Sequence, residues 1–105
     1  MATVELKDQE WKAFIQADFA VIDCYGDHCA ACVILEPVYD GVADELADLS
    51  FGRINITHYS EIAETYHIDA MPTILYFRKG ELIDQSVGSI DREELLCYIS
   101  KLLYQ

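Results

Sequence analysis

Apolar and polar positions along the chain fall into short blocks whose period switches between that of a strand and that of a helix. Thr3 to Leu6 reads as a short opening strand. From Asp8 the apolar residues Trp11, Phe14 and Ile15 return at helical spacing, which predicts an amphipathic helix to about Gln16. Phe19 to Tyr25 is almost continuously apolar, the pattern of a strand buried on both faces, with one carboxylate, Asp23, set inside it. Helical spacing resumes at Cys29 and lasts to about Leu49. Ile34, Leu35, Val38, Val42, Leu46 and Leu49 make its apolar stripe, and Glu36, Asp40, Asp44, Glu45 and Asp48 its solvent face. Pro37 lies inside this helix, removes one backbone hydrogen bond and is expected to kink it.

The second half continues in the same way. Phe51 to Ile56 is a third strand, and Ser60 to Tyr66 a short helix. Thr73 to Phe77 and Leu82 to Val87 flank Arg78-Lys79-Gly80-Glu81, the signature of a hairpin. The last helix is the best marked. Asp91 and Glu94 have capping-box spacing, Ile90 and Leu95 can form a hydrophobic staple, and Leu95, Ile99, Leu102 and Leu103 make the inner face. The order β-α-β-α-β-α-β-β-α demands parallel strands early and an antiparallel pair late. An α/β fold follows, with a central mixed β-sheet flanked by helices on both faces. No linker, repeat or low-complexity segment interrupts residues 1–105, which read as a single domain.

Composition narrows the function. Fifty-two per cent of the 105 residues are hydrophobic, which suits a folded domain and excludes a disordered tail. Nineteen acidic against seven basic residues give a net charge of −12, so neither nucleic acid nor an anionic membrane is an expected partner. The charge serves solubility, or steers basic partners to the molecule. No apolar run reaches membrane-spanning length, and Met1 to Lys12 lacks a signal-peptide pattern, which points to the cytoplasm. In that compartment a Cys-x-x-Cys pair is more often catalytic or metal-binding than structural.

Such a pair exists, Cys29-Ala30-Ala31-Cys32, and it stands where a strand's carboxyl end becomes a helix's amino end. Sites in open α/β sheets are commonly built there. A thiolate at a helix amino end faces unpaired N–H groups and the positive end of the macrodipole. The second sulfur lies one turn on, close enough to the first for a disulfide.

Several landmarks stand in register with this pair: Asp23 upstream, Pro37 downstream, Met71-Pro72-Thr73, Lys79-Gly80-Glu81 and Val87-Gly88. Together with the element order they make the chain closely resemble the thioredoxin family over nearly its whole length. The sequence also departs from that family's habits. Ala30-Ala31 stands where Gly-Pro is usual, His28 and Tyr25 where tryptophans are usual, and Val33 where a lysine is common. Arg53 occupies the place of the lysine that partners the buried carboxylate. His67 replaces a glycine, so the end of the short helix is expected to turn left-handed.

The resemblance implies a thioredoxin-like fold and a set of roles. Cys29 is the expected nucleophile and Cys32 the resolving thiol. Asp23 is the expected proton relay to Cys32; desolvation raises its pKa, while Arg53 pulls the other way. Met71, a cis Pro72 and Gly88 are expected to face a bound peptide. His28, next to Cys29, is expected to face substrate and to tune the thiolate, while Arg53 tunes Asp23. Cys24 reads as a core residue and Cys97 as lying off the last helix's stripe, and neither is given a role. His58 and His67 read as surface or turn residues.

The resulting expectation is a monomeric thiol–disulfide oxidoreductase that reduces client protein disulfides and is recharged by a thioredoxin-reductase-like donor. It needs no cofactor beyond a redox-active Cys29–Cys32 disulfide, and no metal. The alternatives are a metal or iron–sulfur module using His28, Cys29 and Cys32, and a redox-silent interaction domain.

Overall fold

The computed structural model describes residues 2–105; Met1, the first residue of the domain read from the sequence, lies outside them. The elements follow in the expected order: β1 (Thr3–Leu6), α1 (Trp11–Phe14), β2 (Ala20–Tyr25), α2 (Ala30–Glu45), β3 (Ser50–Asn55), α3 (Glu61–Thr65), β4 (Thr73–Arg78), β5 (Glu81–Val87) and α4 (Arg92–Leu103). They build a five-stranded sheet in the order β1-β3-β2-β4-β5. β1, β3 and β2 run parallel because helical crossovers join them; β4 and β5 are antiparallel.

The hairpin follows from its turn residues. Lys79 and Gly80 sit at φ +48° and +89°, the pair of left-handed conformations a two-residue turn needs to match strand twist. The turn is fastened to the end of α1, where the Lys79 and Gly80 amides donate to the carbonyls of Ala17 and Ile15.

Side-chain alternation along the strands divides the core. Val21, Phe51, Ile74 and Tyr76 point to one face, with Leu35, Tyr39 and Val42 of α2 and Leu95, Ile99 and Leu102 of α4. Ile22, Cys24, Ile54, Leu75 and Phe77 point to the other, with Trp11 of α1 and Ile62 of α3. Each fully buried aliphatic or aromatic side chain contributes about 1.5–3 kcal/mol through burial. That stabilisation holds helices on both faces of the sheet.

Two helices differ from expectation. α1 begins at Trp11 instead of near Asp8, because Asp8 takes φ +50° and residues 8–10 form a turn closed by the Glu10 amide on the Lys7 carbonyl. α2 ends at Glu45 instead of near Leu49, although Leu46 and Leu49 still pack against the core from the turn beyond it. The buried face of α2 is Cys32, Leu35, Tyr39, Val42 and Ala43. Ile34, expected inside, is 68% exposed. It stands two residues, some 200°, from Cys32 on the helical wheel. Pro37 does lie inside α2. α4 carries the expected capping box: Asp91 accepts from the Glu94 amide, and the Glu94 carboxylate accepts from the Asp91 amide.

Candidate active site

The register brings the site's parts to one end of the sheet. β2 ends at Tyr25 beside Asn55 of β3, and β4, running the other way, begins at Thr73 beside Cys24. The loop after β2 and the Met71–Pro72 peptide before β4 therefore meet. That peptide is cis, as expected. The Met71 side chain crosses to Gly26: a Cβ there would collide with Met71 Sδ and Thr57 Oγ1, so a larger residue would have to displace these side chains. The Pro72 carbonyl accepts from the Gly88 amide at 2.8 Å, with Gly88 at φ +89°.

The loop into the cysteines is pinned from β3. The Asp27 amide donates to Thr57 Oγ1 at 3.0 Å. Its carboxylate accepts from Asn55 Nδ2 at 3.0 Å and meets His58 Nε2, also at 3.0 Å. His58, expected as a plain surface residue, is exposed but takes part in this clasp. His28 follows with an exposed side chain and φ +55°, a left-handed backbone that few non-glycine residues adopt. His67 adopts the expected left-handed turn, at φ +56°.

Cys29 is the N-cap of α2. Its backbone is extended, and its Sγ accepts a hydrogen bond from the Cys32 amide at 3.1 Å. The two cysteines form a disulfide with their Cα atoms 5.3 Å apart. Cys29 is half-buried, whereas Cys32 is buried one turn behind it. On reduction, the first sulfur faces free helix N–H groups and the positive end of the dipole, which favour its thiolate. The second sulfur has no such setting.

Asp23 lies on the sheet face covered by α2 and is fully buried. Neither carboxyl oxygen has a hydrogen-bond partner. Arg53, its neighbour in register, approaches with Nη2 only to 3.7 Å, too far for a hydrogen bond. The same guanidinium places Nη1 2.8 Å from Glu36 Oε1 and 4.0 Å from Asp40 Oδ2, and it covers the Tyr25 ring. The Tyr25 hydroxyl in turn donates to Glu5 at 2.6 Å. Burial therefore prevails over Arg53 and pushes the Asp23 carboxyl up to about 7; Asp40 and Glu36 push in the same direction.

The expected site residues fall in separate groups, with Asp23 buried beneath α2 apart from the others. Tyr25, His28, Cys29, Cys32 and Arg53 line one open cleft, while Met71, Pro72 and Gly88 are tied to the loop through Gly26. Cys24 is buried on the opposite face of the sheet, where desolvation holds its thiol far above the ordinary range. Cys97 is exposed on α4. Sequence reading placed Glu36 and Asp40 on the solvent face; in the fold both turn to Arg53, and Asp40 is only 17% exposed. Their i, i+4 spacing on one helix was the available signal, and β3 supplies the cation that spacing could not name. The clasp of Asn55, Thr57 and His58 on Asp27 was also missed, since it joins loops far apart in sequence.

The metal-binding alternative is not favoured. Among the described residues no three His, Cys, Asp or Glu side chains are grouped to hold an ion, and Cys29 and Cys32 are bonded to each other. No helix among the described residues is long and apolar enough to cross a membrane.

Comparison with known proteins agrees with this geometry. The family model described as Thioredoxin matches residues 2–101. A thioredoxin of Chlamydia pneumoniae is 31% identical over 96 residues, covering 91% of this chain and 94% of that protein. A thioredoxin of Mycoplasmoides gallisepticum is 33% identical over 75 residues, 71% of this chain and 75% of that protein. Among solved structures, the thioredoxin of Malassezia sympodialis superposes with a TM-score of 0.86 at 28% identity, covering 94% of this chain and 89% of that one. Plasmodium falciparum thioredoxin shares the fold, with the same TM-score of 0.86 at 22% identity. With a dithiol at the head of α2 and relatives of nearly its own length, this chain belongs to the thioredoxin family and is a thiol–disulfide oxidoreductase that reduces protein disulfides.

Proposed function

We propose that Cys29 is the attacking sulfur, Cys32 the resolving sulfur and Asp23 the proton acceptor in this reduction. The Cys29 thiolate attacks one sulfur of a client disulfide, and the other client sulfur leaves and takes up a proton. Asp23 then removes the Cys32 proton, and the Cys32 sulfur attacks Cys29 Sγ. The client's second sulfur departs as a thiol, and the Cys29–Cys32 disulfide closes. Two electrons have passed to the client. A donor of the thioredoxin-reductase kind returns two electrons and restores the dithiol, so the disulfide is the only redox group required.

The observation that carries this assignment is Cys29 Sγ at the N-cap of α2, accepting the Cys32 amide while Cys32 itself is buried. His28, Met71, Pro72 and Gly88 form the rim that a client peptide meets, and Arg53 tunes the proton acceptor. The exposed thiol of Cys97, free of any disulfide, suits a reducing compartment, and we place the protein in the cytoplasm as a monomer. Its −12 charge argues against nucleic acid or an anionic membrane as partner.

Two serine substitutions test the roles. Cys32→Ser is expected to accumulate mixed disulfides with client proteins through Cys29, visible on non-reducing gels. Cys29→Ser is expected to accumulate none. Equal trapping by Cys29→Ser reverses the assignment.

A further inference from the structure

Arg53 does not do what an arginine beside a buried carboxylate ordinarily does. A guanidinium offers donors in a planar fork and usually takes a carboxylate with two short bonds. Here Asp23 is Arg53's register neighbour and is fully buried, yet it receives no hydrogen bond. The fork is divided instead: Nη2 stops 3.7 Å from Asp23 Oδ2, an ion pair without a hydrogen bond. Nη1 bonds Glu36 at 2.8 Å, Asp40 stands 4.0 Å from the same nitrogen, and the Tyr25 ring lies against the group.

The energetics favour that pose. Glu36 has a side chain 48% exposed, so water still reaches it while it pairs. Asp23 would have to ionise without water to accept the same cation, and desolvation opposes this. The groups facing the Asp23 carboxyl are Arg53 from β3 and Glu36, Tyr39 and Asp40 from α2; β4 presents only Ile74 in register. Cys24 and Tyr25 adjoin it on β2, and Glu5 of β1 holds the Tyr25 hydroxyl. Of the acids around Arg53 (Asp23, Glu36, Asp40 and, more remotely, Glu5), only Glu36 lies within hydrogen-bond distance of it.

We propose that Glu36 is a positioning residue for the proton transfer: it holds Arg53 back from hydrogen-bond distance, so that Asp23 has no hydrogen-bonded cation and exchanges a proton on the buried side of α2. The proposal rests on the reading of Asp23 as proton acceptor. It separates two carboxylates that share one arginine. The outer one anchors the cation, and the inner one stays free to titrate.

The test is the titration of the Asp23 side-chain carbon, followed by NMR in the disulfide form. Glu36→Gln releases Nη1, Arg53 closes on Asp23, and the midpoint is expected to fall by about one unit from its starting value. The same substitution made on an Arg53→Met background is expected to move the midpoint much less, because the cation that Glu36 positions is gone. An unmoved midpoint in the Glu36→Gln protein, or an equal shift in both backgrounds, overturns the proposal; the latter means that Glu36 acts only through its own charge. Asp23→Asn is the separate control on the underlying reading. If client release keeps its pH profile in that variant, Asp23 is not the proton acceptor, and the titration still decides whether Glu36 positions Arg53.

Discussion

At Asp23 two effects oppose one another. An arginine a few ångströms away lowers a carboxyl pKa by one to three units, and full burial raises it by up to three to five. Burial prevails because the Arg53 charge is shared with Glu36 and Asp40 and stands 3.7 Å off. The consequence for stability can be given a sign. Below about pH 4 the group is protonated in both folded and unfolded chains, and it costs nothing. As the pH rises from the unfolded value of 3.8 to about 7, the unfolded chain releases the proton while the folded one keeps it, so stability falls. Above 7 both forms are ionised and the loss is complete, on the order of 4 kcal/mol at about 1.4 kcal/mol per unit. Asp23→Asn in the disulfide form is therefore expected to gain on the parent protein from pH 4 to 7 and then to hold a constant lead. Urea midpoints across that range measure it, and a difference independent of pH would mean that Asp23 is ionised throughout. That a carboxylate lay in an apolar strand was plain from the sequence. Which way Arg53 would point was not, because it depends on two acids that reach it from another element.

The elements repeat this division between what is local and what is not. The capping box of α4 was legible because both its hydrogen bonds join residues three apart, Asp91 and Glu94. Asp91→Ala is expected to cost about 1 kcal/mol and to lower the melting temperature by roughly 4–8 °C, measured by thermal unfolding at fixed pH. An unchanged melting temperature would mean that the hydrophobic contacts of Leu95, Ile99 and Leu102 hold the helix end without its cap. α2 was less legible. Tyr39 is its most buried large side chain because its hydroxyl reaches the carbonyls of Gly52 and Val21, at 2.7 and 3.0 Å, on two different strands. No periodicity in α2 announces those partners. The stop after Glu45 was hidden for a similar reason: Leu46 and Leu49 keep helical spacing while packing from a turn. In α1, the left-handed Asp8 shortened a helix whose apolar positions were otherwise read correctly.

For the whole molecule the dominant fact is charge. A net −12 on 105 residues means that every approaching protein feels a repulsive or an attractive field before any contact forms. Asp27, Glu36 and Arg53 stand beside the disulfide, so the field reaches the reacting end, where one cation is already engaged by acids. A partner that must bring its own redox centre to the Cys29–Cys32 disulfide therefore gains from a basic docking face, and a partner with an acidic face is rejected. Such steering raises association rates about 10- to 1,000-fold at low salt and is screened once the Debye length falls to about 8 Å near physiological ionic strength. If the electron donor presents such a basic face, its reduction of the disulfide should slow by about tenfold or more as salt is raised, with the loss in kcat/KM and not in kcat. A small uncharged disulfide supplies the internal comparison. It carries no basic face, so its reduction by the dithiol should be nearly independent of salt. Stopped-flow rates for both substrates over the same salt series decide the matter. Parallel profiles would show that salt acts on the dithiol itself, and a flat profile for the donor would leave the acidic surface as a means of keeping copies of the chain apart.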